Sequence, residues 1–258
     1  TRLSLYRGLY CTQIMIDKFK KFLIVAAHPD DDVLGCGGTL KKLSKLKKNV
    51  RVIFIAEGSS CRFKNYKNFE KKINKTIKQR EKFAKQALLD LGLNNSYFYN
   101  LICGKLNKYP IIEIAKIVED EIAKFNPEVV ITHSNYDVNL DHRTVYQACL
   151  QSTRPTNKNK IKALISFEVL SSTEWKYNKI FEPNLFINIE KEIKYKIKAM
   201  KRYKTEMNNF PHPRSVDGIN TLAKYRGIQS QNKFAEAFKI IRLFSEWKFC
   251  ALVIEIGQ

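Results

Sequence analysis

The sequence predicts an α/β fold, in which a Rossmann-like, doubly wound and mostly parallel sheet has helices on both faces. Purely apolar segments such as FLIVAA at 22–27 are typical of strands that are buried on both faces. These segments alternate with stretches of helical periodicity, and such alternation favours parallel crossover connections. The regular alternation stops after a strand predicted at 163–169, which indicates a small C-terminal subdomain.

The first half of the chain alternates between apolar strands and amphipathic helices. Gly92 ends the longest helical stretch, and Pro110 suits the first turn of the next helix. Each helix links one strand to the next, as a parallel sheet requires. The predicted strands cover 22–27, 50–56, 97–101 and 128–132, and the predicted helices cover 33–48, 68–91, 110–124 and 141–152.

The second half has a weaker pattern, in which loops rich in Ser, Thr, Asn and Pro separate the elements. Strands are predicted at 163–169, 185–189 and 251–256, and a helix is predicted at 191–207. Neither an internal repeat nor a low-complexity linker interrupts the chain. We therefore expect residues 15–258 to form one domain, with residues 1–14 as an N-terminal extension.

The chain is strongly basic. Its 258 residues include 46 Lys and Arg against 25 Asp and Glu, which gives a formal net charge of +21. The hydrophobic content of 44% excludes a disordered polyelectrolyte. The charge suits an anionic partner, but compositional bias explains it equally well. Because the lysines are spread along the chain without clusters of Arg and aromatic residues, we do not expect nucleic acid to be the partner.

Six cysteines stand far apart in the sequence, without a CxxC pair. This spacing argues against a zinc ribbon or a redox dithiol, and the low density is typical of a reduced, intracellular protein. No apolar run approaches the ~20 residues of a membrane-spanning helix, and the N-terminal stretch lacks the apolar region of a signal peptide. We therefore expect a cytoplasmic protein, either a monomer or a homo-oligomer.

Two polar clusters follow predicted strands. The sequence HPDDD at 28–32 comes directly after the first strand, and HSNYDVNLDHR at 133–143 comes after the strand that ends at Thr132. Ligands of open α/β sheets collect at the carboxyl ends of the strands. Three of the four histidines therefore converge on one edge of the sheet, together with several carboxylates.

These residue types are those of a hydrolytic metal site. Catalytic zinc takes three ligands from His, Asp or Glu and keeps one position open. One His and one Asp from the first cluster, with one His from the second, would supply that set, and a remaining carboxylate would act as general base. Three consecutive Asp residues at 30–32 also require a cation or an Arg partner, because they cannot all stay ionised side by side.

Two other functions stay open at this point. An Asp pair after a first strand also occurs in receiver domains, which hold magnesium there to accept a phosphoryl group, although such domains are shorter and need no histidine in the site. A non-enzymatic, basic nucleic-acid-binding protein is the other alternative. The glycines at 35–38 lack the GK[ST] ending of a nucleotide-binding loop, which argues against an NTPase.

Both clusters resemble the motifs of a known family. AHPDDD at 27–32, followed by GCGGTL at 35–40, is similar to the signature of the PIG-L/LmbE-type zinc-dependent de-N-acetylases. DVNLDHR at 137–143 resembles the second motif of that family, (H/N)xDH. Weaker matches extend the resemblance over nearly the whole chain from about residue 20, and they lie at 168–175, 211–215, 226–227 and 235–238.

The resemblance implies one Zn²⁺ per chain, with His28, Asp31 and His142 as its ligands. It also implies that Asp30 is the general base, which takes a proton from the zinc-bound water and delivers it to the leaving amine. The metal would polarise the acetyl carbonyl. The implied reaction is the hydrolysis of a linear amide C–N bond with release of acetate.

Two further residues of the second motif receive roles from the resemblance. Asp141 would orient a site histidine or the substrate. Asn139 stands where many relatives have a histidine that stabilises the oxyanion. An Asn amide donates a hydrogen bond there but carries no positive charge, so the group that stabilises the oxyanion stays open.

The implied substrate is an N-acetylated amino sugar, such as N-acetylglucosamine, or a glycoconjugate. The basic charge of the chain suits an anionic form, such as a nucleotide sugar. Five residues are candidates for substrate binding, and each has a purely structural role as its alternative. They are Arg80, Arg143, Arg154, His133 and His212. Arg80, in the long predicted helix, resembles a substrate-binding arginine of the family, and the other four lie near the second motif or in a predicted loop.

Overall fold

The computed structural model describes residues 18–64, 66–155 and 160–244. The strand predicted at 251–256 and the extension predicted at 1–14 lie outside these residues. Within them, none of the helices combines the length and the apolar character that crossing a membrane requires.

Strands and helices alternate through most of the chain. The strands are β1 (Lys21–Ala26), β2 (Asn49–Ala56), β3 (Ser96–Leu101), β4 (Val129–His133), β5 (Ala163–Phe167), β6 (Leu185–Asn188) and β7 (Ala235–Leu243). The α-helices are α1 (Asp31–Lys45), α2 (Tyr66–Leu91), α3 (Ile111–Phe125), α4 (Leu140–Ser152), α5 (Ile193–Met200) and α6 (Val216–Ile228). Short 3₁₀ helices cover Ser60–Arg62, Leu106–Lys108 and Thr173–Trp175.

The described strands form one seven-stranded sheet in the order β3-β2-β1-β4-β5-β7-β6. β3, β2, β1, β4 and β5 run parallel to one another, and Ile24 of β1 pairs with Val52 of β2 and with Ile131 of β4. β7 runs antiparallel between β5 and β6. The predicted α/β class with a mostly parallel sheet is therefore confirmed. The strand order reverses between β1 and β4, which is the place where such sheets bind ligands.

Side chains along β1 alternate between two cores. Phe22 and Ile24 belong to the core that α1, α2, α5 and α6 cover, whereas Leu23 and Val25 belong to the core that α3 and α4 cover. Because both faces of this strand are buried, its sequence is a continuous apolar run. Helices therefore lie on both faces of the sheet, as predicted.

Helix α1 is broken at Cys36, whose φ of −146° and ψ of 22° are not helical. A break leaves amide and carbonyl groups of the helix without intrahelical partners. Two buried charged side chains form hydrogen bonds with these groups here. Glu236 of β7 accepts hydrogen bonds from the amides of Gly38 and Thr39, at 2.9 and 2.7 Å. Lys196 of α5, which pairs with Glu236 at 2.6 Å, donates to a carbonyl on the other side of the break. The buried Lys–Glu pair thereby holds the two parts of α1 together.

Helix α1 packs closely against the sheet side because two of its three glycines lie there. A Cβ atom on Gly35 would lie 2.3 Å from the ring of Phe167 in β5, and one on Gly38 would lie 2.7 Å from Ile189. Both distances are well inside van der Waals contact. This close packing fixes the first turn of α1 against the carboxyl edge of the sheet.

The C-terminal part differs most from the prediction. Helix α5 ends at Met200, well before the predicted end at residue 207, and α6 and β7 were not predicted. Helix α6 contains two glycines, Gly218 and Gly227, and shows little amphipathic periodicity. Strand β7 has Glu236 in its buried first half, so its sequence does not begin as an apolar run.

Candidate metal centre

The turn between β1 and α1 folds back on itself at the edge of the sheet. Asp30 has a φ of 119°, in a region that residues other than glycine rarely adopt. The amide of Asp31 donates to the carbonyl oxygen of His28 at 3.2 Å, and the amide of His28 donates to Asp31 Oδ2 at 2.8 Å. This turn brings the side chains of His28 and Asp31 into contact.

The three predicted metal ligands meet around one carboxylate oxygen. His28 Nδ1 lies 3.2 Å from Asp31 Oδ2, and His142 Nε2 lies 3.3 Å from the same oxygen. His142 comes from the first turn of α4, which follows β4, the neighbour of β1 in the sheet. All three residues are buried, and their ligand atoms lie within 4.8 Å of one another. The switch point between β1 and β4 therefore brings both sequence clusters together.

Each of the two histidines has a carboxylate on its other ring nitrogen. His28 Nε2 lies 2.9 Å from Asp141 Oδ2, and His142 Nδ1 lies 3.0 Å from Asp137 Oδ2. Metal-binding histidines commonly donate their second N–H to such a group, which fixes the tautomer and the ring orientation. The arrangement leaves His28 Nδ1 and His142 Nε2 as the two nitrogens that face Asp31.

The carboxylate of Asp137 is anchored by several donors besides His142. Its oxygens accept hydrogen bonds from the amide of Asn139 at 2.7 Å, from Thr173 Oγ1 at 2.8 Å and from Ser172 Oγ. Asp137 lies in the second sequence motif but is not among the predicted site residues. Its place five residues before His142, in the loop that precedes α4, was the available signal.

The charges of these groups depend strongly on one another. Burial opposes the charged form of His28, but the carboxylates of Asp141 and Asp31 outweigh it and raise the pKa of His28 to about 9. Burial likewise opposes the charged form of His142, and Asp31 and Asp137 raise its pKa to about 10. Burial would raise the pKa of Asp31, yet the histidines hold it well below its usual range. The site therefore places an ionised carboxylate between groups that favour positive charge.

The pKa values of the three consecutive aspartates shift in different directions. Burial raises the pKa of Asp32 to about 7, with a smaller contribution from the charges of Asp30 and Asp31. Burial also raises the pKa of Asp30, although Arg80 and Arg214 oppose the shift. Only Asp31 has a pKa held below its ordinary value. The surroundings thus separate the three carboxyl groups by their affinity for a proton.

The residues at this site fit a divalent metal ion. Asp31 Oδ1 and His142 Nε2 are buried and have no hydrogen-bond partner among the described residues. Buried polar atoms are otherwise nearly always paired. Two imidazole nitrogens and a carboxylate oxygen, aimed at one another with supporting carboxylates behind them, form a donor set for a borderline-soft cation.

The third histidine of the two motifs, His133, supports the site from inside. It is fully buried at the end of β4, its ring stacks on His142 at a centroid distance of 4.1 Å, and its Nε2 accepts from the amide of Ala27 at 2.7 Å. Burial and the nearby charge of His142 lower the pKa of His133 to about 3, so the ring is neutral. The sequence placed it among the substrate-binding candidates, and the structure places it under the rings of the centre.

Two arginines hold the carboxylate of Asp30. Arg80 Nη2 lies 3.0 Å from Asp30 Oδ1, and Arg214 Nη1 lies 2.8 Å from Asp30 Oδ2. Glu206 joins the two arginines, because its Oε1 lies 2.6 Å from Arg80 Nη1 and its Oε2 lies 3.1 Å from Arg214 Nη1. Arg80 is only 5% exposed, so the structure places this predicted substrate residue behind Asp30.

Arg214 and Glu206 are not among the residues that the sequence predicts for the site. Both lie in irregular segments that follow α5, and they reach the centre only through the tertiary fold. The available signal was weak: Arg214 lies in the segment 211–215, which resembled part of the family only loosely. His212, a substrate-binding candidate, lies in the same loop, and its Nδ1 accepts from the amide of Arg214 at 3.0 Å.

The remaining predicted site residues have structural contacts. Asn139 is the N-cap of α4, and its Oδ1 accepts from the amide of Asp141 at 2.9 Å. Arg143 Nη1 donates to the carbonyl oxygens of residues 137 and 138 and so fixes the loop that carries Asp137. Arg154 is exposed and donates to a carbonyl of its own helix. The structure thus places Asn139 and Arg143 beside the centre, and it gives Arg154 no contact with it.

Comparisons with known proteins agree with this site. The family model PIG-L, described as GlcNAc-PI de-N-acetylase, matches residues 23–153. Diacetylchitobiose deacetylase of Thermococcus kodakarensis is 23% identical over 230 residues, which cover 86% of this chain and 83% of that protein. The family match includes the two clusters that form the centre.

Solved structures share the fold. N,N'-diacetylchitobiose deacetylase from Pyrococcus horikoshii, complexed with its inhibitor MPG, has a TM-score of 0.73 at 20% identity, with 90% of this chain and 87% of that chain covered. GalB, the 4-carboxy-2-hydroxymuconate hydratase from Pseudomonas putida KT2440, has a TM-score of 0.64 at 20% identity, with 88% and 99% covered. Because one of these enzymes is a hydratase, the fold alone does not assign the reaction.

The family assignment rests on the sequence match together with the geometry. The matched stretch begins in β1 and ends just after α4, so it spans half of the chain and contains every ligand atom of the candidate centre. The chain therefore belongs to the PIG-L family of GlcNAc-PI de-N-acetylases.

Proposed function

We propose that this protein is a zinc-dependent hydrolase that removes the N-acetyl group from an N-acetylated amino sugar or from a glycoconjugate. The observation that carries the proposal is the set of three buried ligands, Asp31 and two histidines. Each histidine has a second carboxylate on its other ring nitrogen. Family membership makes the chain a deacetylase that hydrolyses amide bonds. The relative named for diacetylchitobiose supports a carbohydrate substrate.

His28, Asp31 and His142 would hold the metal. Two imidazole nitrogens with one carboxylate are a set typical of catalytic zinc, whereas magnesium prefers oxygen ligands. When bound, the metal supplies Lewis-acid polarisation of the acetyl carbonyl and lowers the pKa of water. The histidines therefore argue against a magnesium-dependent receiver domain.

Asp30 is the proposed general base. In the hydrolysis the amide C–N bond breaks, the hydroxyl of water joins the acyl carbon, and a proton ends on the amine nitrogen. Asp30 takes the proton from water and passes it to that nitrogen. Arg80 and Arg214 fix the two carboxylate oxygens, and burial raises the pKa of the group, which makes its carboxylate a stronger base.

Asn139 is the proposed donor to the acyl oxygen, as the sequence motif suggests. Its Oδ1 is engaged by the amide of Asp141, which leaves the Nδ2 group to donate a hydrogen bond. A neutral donor of this kind stabilises developing negative charge less than a protonated histidine does. The metal would therefore carry a larger share of that stabilisation here.

The substrate side of the site is proposed from charge and position. Arg214 and His212 share one loop beside Asp30, and Arg214 keeps 18% of its side chain exposed. A net charge of +21 suits an anionic glycoconjugate, such as a nucleotide-linked sugar. The sparse cysteines without CxxC pairs support a cytoplasmic location, which is part of the same proposal.

Acetate release from a panel of N-acetylated sugars tests the proposal. The protein is loaded with Zn²⁺ and given free, nucleotide-linked and lipid-linked N-acetyl sugars. We expect equimolar acetate and free amine from at least one class, with activity unchanged in Asp120→Asn, a variant of an exposed carboxylate on α3.

Three results would overturn the proposal. The first is a metal-loaded protein that releases no acetate from any member of the panel. The second is Mg²⁺-dependent phosphorylation of the chain by acetyl phosphate, which favours the receiver alternative. The third is tight, steeply salt-dependent nucleic-acid binding without hydrolysis, which favours a basic binding protein.

A further inference from the structure

Two cysteines that the proposed mechanism does not use meet at the edge of the metal centre. Cys61 lies in the 3₁₀ helix after β2, and Cys103 follows β3, the next strand of the sheet. Their Sγ atoms are 3.0 Å apart. Cys61 is exposed, whereas Cys103 is buried. One thiol of the pair is therefore accessible from solvent, and the other lies inside the protein beside the site.

Cys103 also lies beside two residues of the centre. The ligand atoms of His28, Cys103 and Asp141 all lie within 4.8 Å of one another. The Nε2 of His28 and the Oδ2 of Asp141 face each other at 2.9 Å. These atoms lie on the side of the His28 ring opposite Asp31, because Nδ1 is the nitrogen that faces Asp31.

The backbone around Cys103 is held in place by two carboxylates. The amide of Cys103 donates to Glu57 Oε1 at 2.9 Å, and the amide of Gly104 donates to Asp141 Oδ2 at 2.6 Å. Glu57 also accepts from the amides of Ser59 and Ser60, directly before Cys61. One carboxylate therefore organises the backbone of both cysteine-bearing segments.

We propose that Cys103, Asp141 and the Nε2 of His28, whose ligand atoms lie close together, form a second metal site that binds a thiophilic divalent cation such as Cd²⁺ beside the catalytic metal. The exposed thiol of Cys61, whose Sγ lies 3.0 Å from Cys103 Sγ, rotates toward the cation and completes the site. Two thiolates, one imidazole nitrogen and one carboxylate are a four-donor set that suits soft and borderline d¹⁰ cations. On binding, the two S–H bonds and the Nε2–H bond of His28 break, two S–metal bonds and one N–metal bond form, and the three protons pass to solvent. No oxidant or reductant is needed.

The shared histidine couples the second site to the first. His28 Nε2 can bind a cation only by giving up the proton that it shares with Asp141. Filling the second site therefore breaks the His28–Asp141 hydrogen bond, which orients the ring toward Asp31. Loss of such a supporting contact typically costs about tenfold to hundredfold in activity or metal affinity. A bound thiophilic cation is thus expected to inhibit the enzyme.

Titration of the reduced, zinc-loaded protein with Cd²⁺ tests the site directly. The readouts are the bound Cd²⁺ per chain and the ultraviolet charge-transfer absorption of Cd–thiolate bonds. We expect one Cd²⁺ per chain with this absorption, and its loss in both Cys61→Ser and Cys103→Ser. Cys149→Ser is the matched control, because Cys149 is buried in α4 against Thr132 and its loss should leave the absorption intact.

Several outcomes would overturn the second site. One is wild-type protein without the charge-transfer absorption, and another is absorption that persists in both Cys61→Ser and Cys103→Ser. Cys61 is exposed, so its serine variant tests the site even if Cys103→Ser does not fold. If the two thiols form a disulfide in air, the protein is reduced before the titration. Absence of Cd²⁺ uptake by this reduced protein would also overturn the second site.

The inhibition experiment rests on the proposed hydrolase function, whereas the absorption does not. We expect excess Cd²⁺ to slow acetate release by about tenfold or more in the wild type, and far less in Cys61→Ser. If the protein releases no acetate at all, the absorption and the stoichiometry still decide whether the second site exists. Equal inhibition of wild type and Cys61→Ser would place the inhibitory cation elsewhere.

Discussion

Arg214 Nη1 lies 2.8 Å from Asp30 Oδ2, although 184 residues separate the two in the sequence. The same guanidinium donates through its Nε to Ser171 Oγ at 2.6 Å. The loop before α6 and the segment after β5 are therefore both tied to the turn that carries the proposed base. The C-terminal part of the chain thus completes a site whose metal ligands come from the N-terminal half.

The Asp30→Asn variant is expected to keep its metal and to lose turnover by about 10²–10⁴-fold, the usual contribution of a general base. The substitution preserves the shape of the side chain but removes its basicity. Zinc content and acetate release of the same preparation would measure both effects. Loss of zinc in this variant would mean that Asp30 is a ligand, which contradicts the role proposed for it.

The His142→Ala variant is expected to lose stoichiometric zinc. A metal that binds only the folded state stabilises it, by about 2.7 kcal/mol when free metal is 100 times its Kd. Thermal unfolding of the wild type should therefore shift upward on adding Zn²⁺ and downward on chelation, whereas His142→Ala should respond to neither. A variant that still shows the zinc-dependent shift would exclude His142 from the ligand set.

The Asp137→Asn variant tests the support behind His142. Asp137 Oδ2 lies 3.0 Å from His142 Nδ1 and fixes the tautomer that turns Nε2 toward Asp31. Replacing such a partner typically weakens metal affinity or activity by about 10–100-fold. Competition with a zinc chelator would measure the affinity, with Asp120→Asn as the exposed control. Unchanged zinc affinity would mean that Ser172 and Thr173 alone suffice to position the loop.

How well the sequence predicted the site depended on where each residue lies in the fold. Topology predicts that a His and an Asp of the first cluster meet a His of the second, because both clusters follow parallel strands, whose carboxyl ends lie at one edge of the sheet. The choice of His28, Asp31 and His142 came from the resemblance to the family. Arg214 and Glu206 could not be predicted, since nothing local tells an irregular loop which distant carboxylate it will contact. Their roles depend on how the segments after α5 pack.

The same reasoning applies to the missed elements. Periodicity detects a strand when its buried side chains are apolar. In β7 the buried Glu236 instead serves the break in α1, where it binds the amides of Gly38 and Thr39 and pairs with Lys196. A sequence pattern predicts that a charged residue in a strand is exposed, unless its buried partners are known. Buried polar networks therefore conceal elements that apolar packing would have revealed.

Glu206 is expected to make the free energy of unfolding depend on pH in the acidic range. Burial would raise its pKa, but the hydrogen bond from Arg62 and the charges of Arg80 and Arg214 outweigh it, and the pKa falls to about 2. A carboxyl whose folded pKa lies below its unfolded value adds stability above the unfolded pKa, and that stability is lost as the pH falls through the folded pKa. The window therefore runs from about pH 4.5 down to about pH 2.

The Glu206→Gln variant is expected to lack this acid-dependent stability, which a shift of this size puts at about 3 kcal/mol. Urea unfolding of metal-free protein between about pH 7 and about pH 2 would measure it. The wild type should lose more stability on acidification than Glu206→Gln, while Glu190→Gln, on the surface beside Lys233, should follow the wild type. Parallel curves for wild type and Glu206→Gln would contradict the prediction.

The close approach of α1 to the sheet predicts that Gly35→Ala destabilises the fold. The added Cβ would lie 2.3 Å from the ring of Phe167, which is fully buried and cannot move into solvent. Overpacking of this kind typically costs about 1–3 kcal/mol, although alanine is the better helix former. Thermal unfolding should show a lower midpoint for Gly35→Ala, and the double variant Gly35→Ala with Phe167→Leu should recover part of the loss, because the smaller side chain removes the clash. If the double variant is no more stable than the sum of the two single changes predicts, the clash with Phe167 is not the cause.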